Sequence, residues 1–254
     1  MGKRKRKQSI QVDRNSGTFV TPQGQVLPAG LEKYWRQRHN FFWRFDEGII
    51  IDVEGWYSVT PEIIAEDTAS RIAQLYNQGS SKDFGRICVV DACCGVGGNA
   101  IKFAEWCERV IAIDISAERL ELARNNAEVY GVADRIEFIL GDFFQLAPML
   151  KADVVFMSPP WGGPEYIDAP VFDLSSLPFR TSQEWIDSAR LVSKNIVCFM
   201  PRNCDPVQLA ELYPEAPCEV ELNYTTGFFK GITVYYSDLA LFGGSSPREC
   251  KRLS

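Results

Sequence analysis

Histidine is almost missing from this chain: His39 is the only one in 254 residues. The eight cysteines, at 88, 93, 94, 107, 198, 204, 218 and 250, include no C-x-x-C pair, so the ligand spacing of a zinc site is absent and no metal is expected. No apolar run approaches the ~20 residues of a membrane-spanning helix, and no internal repeat is visible. Lys3-Arg4-Lys5-Arg6-Lys7 has no apolar stretch behind it, so no secretory signal is expected. Cys88 and Cys198 lie in apolar runs, where a reduced cysteine is a small hydrophobe. A reducing compartment, cytosol or nucleus, is the expectation.

Hydrophobic residues make up 46% and charged residues 24%, ordinary for a globular chain able to bury a large core. Charge is unevenly placed. Residues 1–44 hold ten Lys/Arg against Asp13 and Glu32, a balance of +8, which leaves −14 on the other 210 residues of a chain with net charge −6. An acidic body does not attract polyanions over its whole surface, so any nucleic-acid contact must be local. The basic N-terminal run could serve as a nuclear-localisation signal or a phosphate-seeking arm.

Residues 1–27 read as a loose basic tail and 28–83 as a small helical and extended segment, a lid or accessory piece that would complete the pocket. The latter has a short helix from Leu31, extended chain or a hairpin over Phe41–Val53, and a helix opened by Thr60-Pro61-Glu62. Ile63, Ile64, Ile72 and Leu75 suit one buried face of that helix, and 77–83 read as a polar loop. Trp35, Trp43 and Trp56 are expected to pack the segment. From 84 to 244 strands and helices alternate, with strands at 87–90, 110–113, 136–140, 154–157, 196–200, 220–224 and 232–236. This predicts an α/β, doubly wound, mostly parallel sheet, with an antiparallel edge hairpin from the last two strands. Residues 245–254 read as a tail.

Ligands of such sheets bind beyond the C-terminal strand ends. The first end carries Asp91-Ala92-Cys93-Cys94-Gly95-Val96-Gly97-Gly98-Asn99. Gly95 and Gly97 let backbone approach a ligand, and Asp91 suits a cation rather than a phosphate. Asp114 ends the second strand, about 20 residues on, where a ribose calls for a carboxylate. Gly141-Asp142-Phe143 ends the third, offering Asp142 to an adenine amine and Phe143 to its ring. Ser158-Pro159-Pro160-Trp161 ends the fourth. Its prolines fix φ and remove two N–H donors, leaving Ser158 and the Pro159 carbonyl to accept from a planar amine while Trp161 stacks on it. Each element alone has a plain structural use as a turn or helix cap; four at consecutive strand ends point to S-adenosylmethionine (AdoMet). The pattern resembles the class I AdoMet methyltransferases.

A more specific resemblance is carried by Glu32-Lys33-Tyr34-Trp35, Gly55-Trp56-Tyr57-Ser58-Val59-Thr60-Pro61-Glu62, Ala123-Arg124-Asn125-Asn126-Ala127-Glu128-Val129-Tyr130-Gly131, the extended Ser158-Pro159-Pro160-Trp161-Gly162-Gly163-Pro164-Glu165-Tyr166, and Pro201-Arg202-Asn203. From about Leu31 to Leu241 the chain is similar to the catalytic domain of the trimethylguanosine synthases, the RNA cap hypermethylases. Residues 77–83 look like extra loop, and 167–182 and the C-terminal third match loosely. The resemblance implies methyl transfer from AdoMet, leaving S-adenosylhomocysteine, to the exocyclic N2 of 7-methylguanosine in small nuclear and nucleolar RNA caps, in two rounds. It implies Trp161 as the platform for the cationic base, with Asn126 beside the amine. Phe42 and Thr60 would lie over the cofactor. Lys33, Arg202, Lys230 and the Tyr166 hydroxyl would hold the triphosphate. No general base is evident. A monomer in the nucleus, possible recruiting ribonucleoproteins and no membrane partner complete the expectation. The alternatives are an adenine-amine or protein-glutamine methyltransferase using the same loop, or a catalytically silent cap-binding module.

Overall fold

The computed structural model describes residues 11–13, 16–21, 24–76, 87–175, 177, 180–242 and 249–250. It opens with β1 (Gln11–Asp13), β2 (Thr18–Val20) and β3 (Val26–Pro28), a small antiparallel sheet. Within the expected loose tail over 1–27, the described residues 11–13, 16–21 and 24–27 instead contribute to this sheet, and residues 1–10 lie outside the described residues. Three-residue strands are too short to show alternation. What holds this sheet in place is burial: Phe19 and Leu27 are buried, and Phe19 meets Trp35 edge-on at 6.4 Å.

The accessory segment continues through α1 (Glu32–Arg36), α2 (Arg38–Phe41), α3 (Gly55–Ser58) and α4 (Glu62–Tyr76). Phe41–Val53 contains no strand. A 3-10 turn at Phe45–Glu47 ends at Gly48 (φ 120) and irregular chain follows. Phe42, Phe45, Ile49 and Ile51 are buried, so this apolar, β-branched run signalled burial rather than strand pairing. Side chains meet its backbone needs in place of a ladder: Asn125 Nδ2 donates to the Gly48 carbonyl (3.0 Å), and the Ile50 amide donates to Asn126 Oδ1 (2.9 Å). Ile64 and Ile72 are buried as expected, and the 77–83 loop lies outside the described residues. Trp35 and Trp56 pack inside the segment; Trp43 is 48% exposed and does not.

The sheet and its helices follow: β4 (Cys88–Asp91), α5 (Gly98–Trp106), β5 (Arg109–Asp114), α6 (Ala117–Tyr130), β6 (Ile136–Leu140), α7 (Phe143–Leu146), β7 (Val154–Met157), α8 (Ser182–Val192), β8 (Ile196–Met200), α9 (Pro206–Glu211), β9 (Cys218–Thr225), β10 (Phe228–Tyr236) and β11 (Glu249–Cys250). The strand order is β11-β9-β10-β8-β7-β4-β5-β6, with β8, β7, β4, β5 and β6 parallel and β10 antiparallel to both neighbours. The expected hairpin exists, with its second strand inside the sheet. β11 pairs with β9 where a C-terminal tail was expected. β7 and β8 are buried throughout, which is why they read as unbroken apolar runs. The order reverses at β4, between β5 and β7, opening the ligand crevice at their C-terminal ends.

Buried polar groups bind the accessory segment to the sheet domain. Lys102 Nζ lies 2.7 Å from Glu62 on α4 and 2.7 Å from Glu105, and the Tyr130 hydroxyl donates to Glu62 at 2.9 Å. Burial opposes the Lys102 charge, yet Glu105 and Glu62 outweigh it and hold its pKa up. Arg71 reaches Glu219 at 2.6 Å and lies 3.7 Å above the Tyr235 ring. Arg119 pairs with Asp52 at 3.0 Å and with Glu54. Of these pairs only Glu62–Lys102 is buried on both sides; removing one of its members leaves an uncompensated charge, at a cost of about 3–5 kcal/mol, whereas the partly exposed Arg119 and Arg71–Glu219 pairs contribute less.

Candidate active site

β4 delivers Asp91 to the crevice with no exposed surface, and neither carboxylate oxygen has a well-formed hydrogen bond. The Cys93 and Ala100 amides lie near enough to favour its anion, but burial dominates and pushes the carboxyl up to about 7; Asp114 adds to the rise. An orphaned buried carboxylate facing a ligand crevice calls for a cationic group. The loop after it turns through Gly95 (φ 53) and Gly97 (φ 88). A Cβ on Gly97 would stand 3.1 Å from Ala123 Cβ on α6, so this is both a left-handed turn and a close approach.

Asp114 ends β5, where one carboxylate oxygen accepts from the Gly95 amide and the other from the Ser116 amide, each at 2.9 Å. It thus shapes the glycine loop, and each oxygen keeps lone-pair capacity for a ribose hydroxyl. Asp142 caps α7, accepting from the Phe144 amide at 2.9 Å. Phe143 is a correction. Its ring is 2% exposed and stacks on Trp185 at 5.9 Å and 11°, inside the core on the α8 face, so it is not free to lie beside an adenine.

Phe42 and Thr60 close over the helix that follows the glycine loop. A Cβ on Gly98 would meet Val59 Cγ2 at 2.9 Å and Phe42 Cζ at 3.8 Å, leaving no room for a side chain. The Thr60 hydroxyl accepts from Asn99 Nδ2 at 3.0 Å. Asn126 is the second correction. Its Nδ2 donates to the Ile50 and Val96 carbonyls, both at 2.9 Å, and its Oδ1 accepts from Ile50 and Asn125. Fully buried and fully bonded, it offers nothing to a substrate amine. It clasps the accessory segment to the glycine loop.

Beyond β7, the Ser158 amide lies near the Cys93 thiol of the first strand end. Trp161 is half-buried, with Tyr166 edge-on at 5.2 Å and 84° and Phe199 tilted against it at 5.5 Å. Of the expected cations, Arg202 acts on Tyr166, the ring that meets Trp161. Arg202 follows β8, and its charge is felt at both Tyr166 and Lys230. Burial first, then Arg202, lowers the Lys230 pKa; burial raises that of Tyr166, which also senses Tyr34, the neighbour of Lys33. Among the described residues, Lys33, Arg202 and Lys230 have no carboxylate partner, and no cluster of three or more His, Cys, Asp or Glu could hold a metal.

Residues 86–239 match the model of the RNA cap guanine-N2 methyltransferase family. This chain belongs to that family. It is 38% identical over 190 residues to the trimethylguanosine synthase of Schizosaccharomyces pombe, covering 72% of this chain and 76% of the relative. It is 36% identical over 231 residues to that of Saccharomyces cerevisiae, covering 86% and 71%. The fold is that of class I methyltransferases; a human methyltransferase 10 domain-containing protein superposes with a TM-score of 0.57 over 82% of this chain and 98% of its own, at 14% identity. As a family member, the protein is an AdoMet-dependent cap guanosine-N2 methyltransferase.

Two residues of this methyltransferase escaped the sequence reading. Phe199, in the apolar run of β8, supports Trp161. Gly231 makes room for it: a Cβ there would stand 2.7 Å from Phe199 Cζ and 2.9 Å from the Met200 carbonyl. A glycine interrupting the Phe228–Tyr236 strand was the available signal.

Proposed function

We infer that this enzyme converts a 7-methylguanosine cap to 2,2,7-trimethylguanosine in two successive transfers. Its RNAs are small nuclear and nucleolar, it acts in the nucleus, and ribonucleoprotein core proteins recruit it. One observation carries the reading: Trp161, in the loop that follows β7, is held by Tyr166 and Phe199, and Tyr166 senses the charge of Arg202, which has no carboxylate partner among the described residues. Indole attracts a cationic purine through its ring quadrupole, and the guanidinium suits the triphosphate that a cap carries.

Asp91 fits the ammonium of AdoMet, because its buried oxygens lack partners. Gly95 and Gly97 admit the amino-acid portion, and Asp114 and Asp142 suit ribose and adenine. Bound AdoMet supplies an electrophilic methyl group. Trp161 then fixes the plane of the base, while the Ser158 hydroxyl and Pro159 carbonyl accept from the exocyclic amine and aim its lone pair. The guanine amine is a weak nucleophile, so rate comes mainly from this positioning. The Phe42–Thr60 wall excludes water from the loop beneath it. The departing proton passes to solvent.

The test is transfer of labelled methyl to 7-methyl-GTP, GTP, adenine-containing RNA and a glutamine peptide in parallel. Strong preference for 7-methyl-GTP, with mono- and then dimethylated product, is expected. Equal or greater transfer to adenine or peptide overturns the reading.

A further inference from the structure

The tip of the β9–β10 hairpin carries an aromatic surface that the reading above leaves unused. β10 runs antiparallel to β8 with Ile232 opposite Met200. Lys230 and the hairpin turn therefore rise at the same end of the sheet as Arg202 and the Trp161 loop. The turn is tight and stiff: Thr226 (φ 52) and Gly227 (φ 79) both adopt positive φ, matching strand twist in a two-residue hairpin. Behind it, the cross-strand pair Tyr224 and Phe229 stacks at 5.0 Å and 23°, and Phe229 packs on the α8 face.

Side-chain alternation turns Phe228 to the other face of the sheet, where residues 31–76 pack. Phe228 is 68% exposed, and Lys230 Nζ lies 5.8 Å from its ring centre. A large exposed ring on a rigid turn, beside a cation that also senses Arg202, has the composition of a stacking platform next to a phosphate track. In a cap, the triphosphate leads from 7-methylguanosine to the first transcribed nucleotide. Phosphates at Arg202 and Lys230 would deliver that nucleotide to Phe228.

We propose that Phe228 is the stacking platform for the nucleobase that follows the triphosphate bridge of a capped RNA. The proposal rests on the cap reading above. Every base has a π-face, so the platform tolerates any first nucleotide, and selectivity lies in the presence of RNA rather than in its sequence.

The test titrates the full chain with 7-methyl-GTP and with the dinucleotide 7-methyl-GpppA, using wild type, Phe228→Ala and Phe228→Trp, with melting curves as a fold check. Wild type is expected to bind the dinucleotide roughly tenfold more tightly. Phe228→Ala should bind the two ligands equally, and Phe228→Trp should keep the preference. Wild type binding both ligands equally, as it would if Phe228 served a protein partner, overturns the platform alone. Phe228→Ala retaining the preference overturns it too. If wild type binds neither compound, the cap reading itself falls, and the platform with it.

Discussion

Replacing Asp91 by Asn should make the ligand-free protein more stable and the enzyme nearly inert. The carboxyl rises from an ordinary 3.8 to about 7 because its complete burial outweighs the Cys93 and Ala100 amides near it. Each tenfold change in proton affinity corresponds to about 1.4 kcal/mol, so at pH 8 the ionised group sets folding back by about 4 kcal/mol. The sign follows from a folded value above the unfolded one. Stability is full below pH 3.8, declines as pH rises toward about 7, and levels off above it. An Asn side chain keeps a buried amide that costs about 1–2 kcal/mol, leaving a net gain of about 2–3 kcal/mol. At roughly 2–4 °C per kcal/mol for a chain of this size, the apo melting temperature at pH 8 should rise by about 5–10 °C. The gain should shrink toward pH 4. AdoMet affinity should fall about 100-fold, because the ammonium loses its charged acceptor. Differential scanning fluorimetry between pH 4 and 8, with and without AdoMet, reads both arms. A lower apo melting temperature at pH 8, with AdoMet binding retained, would refute the assignment and make Asp91 a structural residue.

Trp161→Ala should reduce kcat/KM for 7-methyl-GTP by about 100-fold per folded molecule, from loss of the cation–π platform, and should also lower the melting temperature because its ring packs on Tyr166 and Phe199. Gly231→Ala pushes a Cβ into Phe199 and should destabilise the fold by about 1–3 kcal/mol while weakening 7-methyl-GTP binding. Adding Phe199→Leu should restore part of both, and strictly additive losses would show that the two positions are independent. Asn126→Ala leaves buried groups of Ile50 and Val96 unpaired and should cost about 2–4 kcal/mol. Its turnover per folded molecule should fall less than that of Trp161→Ala, as single-turnover rates normalised to folded fraction would show.

The sheet was legible because its strands are short, apolar and punctuated by turns. Val154–Met157 and Ile196–Met200 read to the residue, since strands buried on both faces leave uninterrupted hydrophobic runs. The strand ends that carry Asp91, Asp114 and Ser158 were legible because apolar runs mark where each strand stops. The accessory segment was not. Ile49 to Ile51 has strand composition, but a side chain 76 residues away satisfies its backbone, and no local pattern encodes that. Asn126 was misjudged for the same reason: resemblance placed it near the chemistry, and only packing reveals that its four hydrogen-bonding positions are already used. Phe143 shows the reverse error, an aromatic at a promising strand end whose ring found Trp185 on the far face.

The four anchors of residues 31–76 have one more implication. Asn126, the Glu62–Lys102–Glu105 group, Arg71–Glu219 and Arg119–Asp52 tie that stretch down at widely separated points. A flap hinged at one end would need most of them to break together. The stretch behaves as masonry rather than as a door.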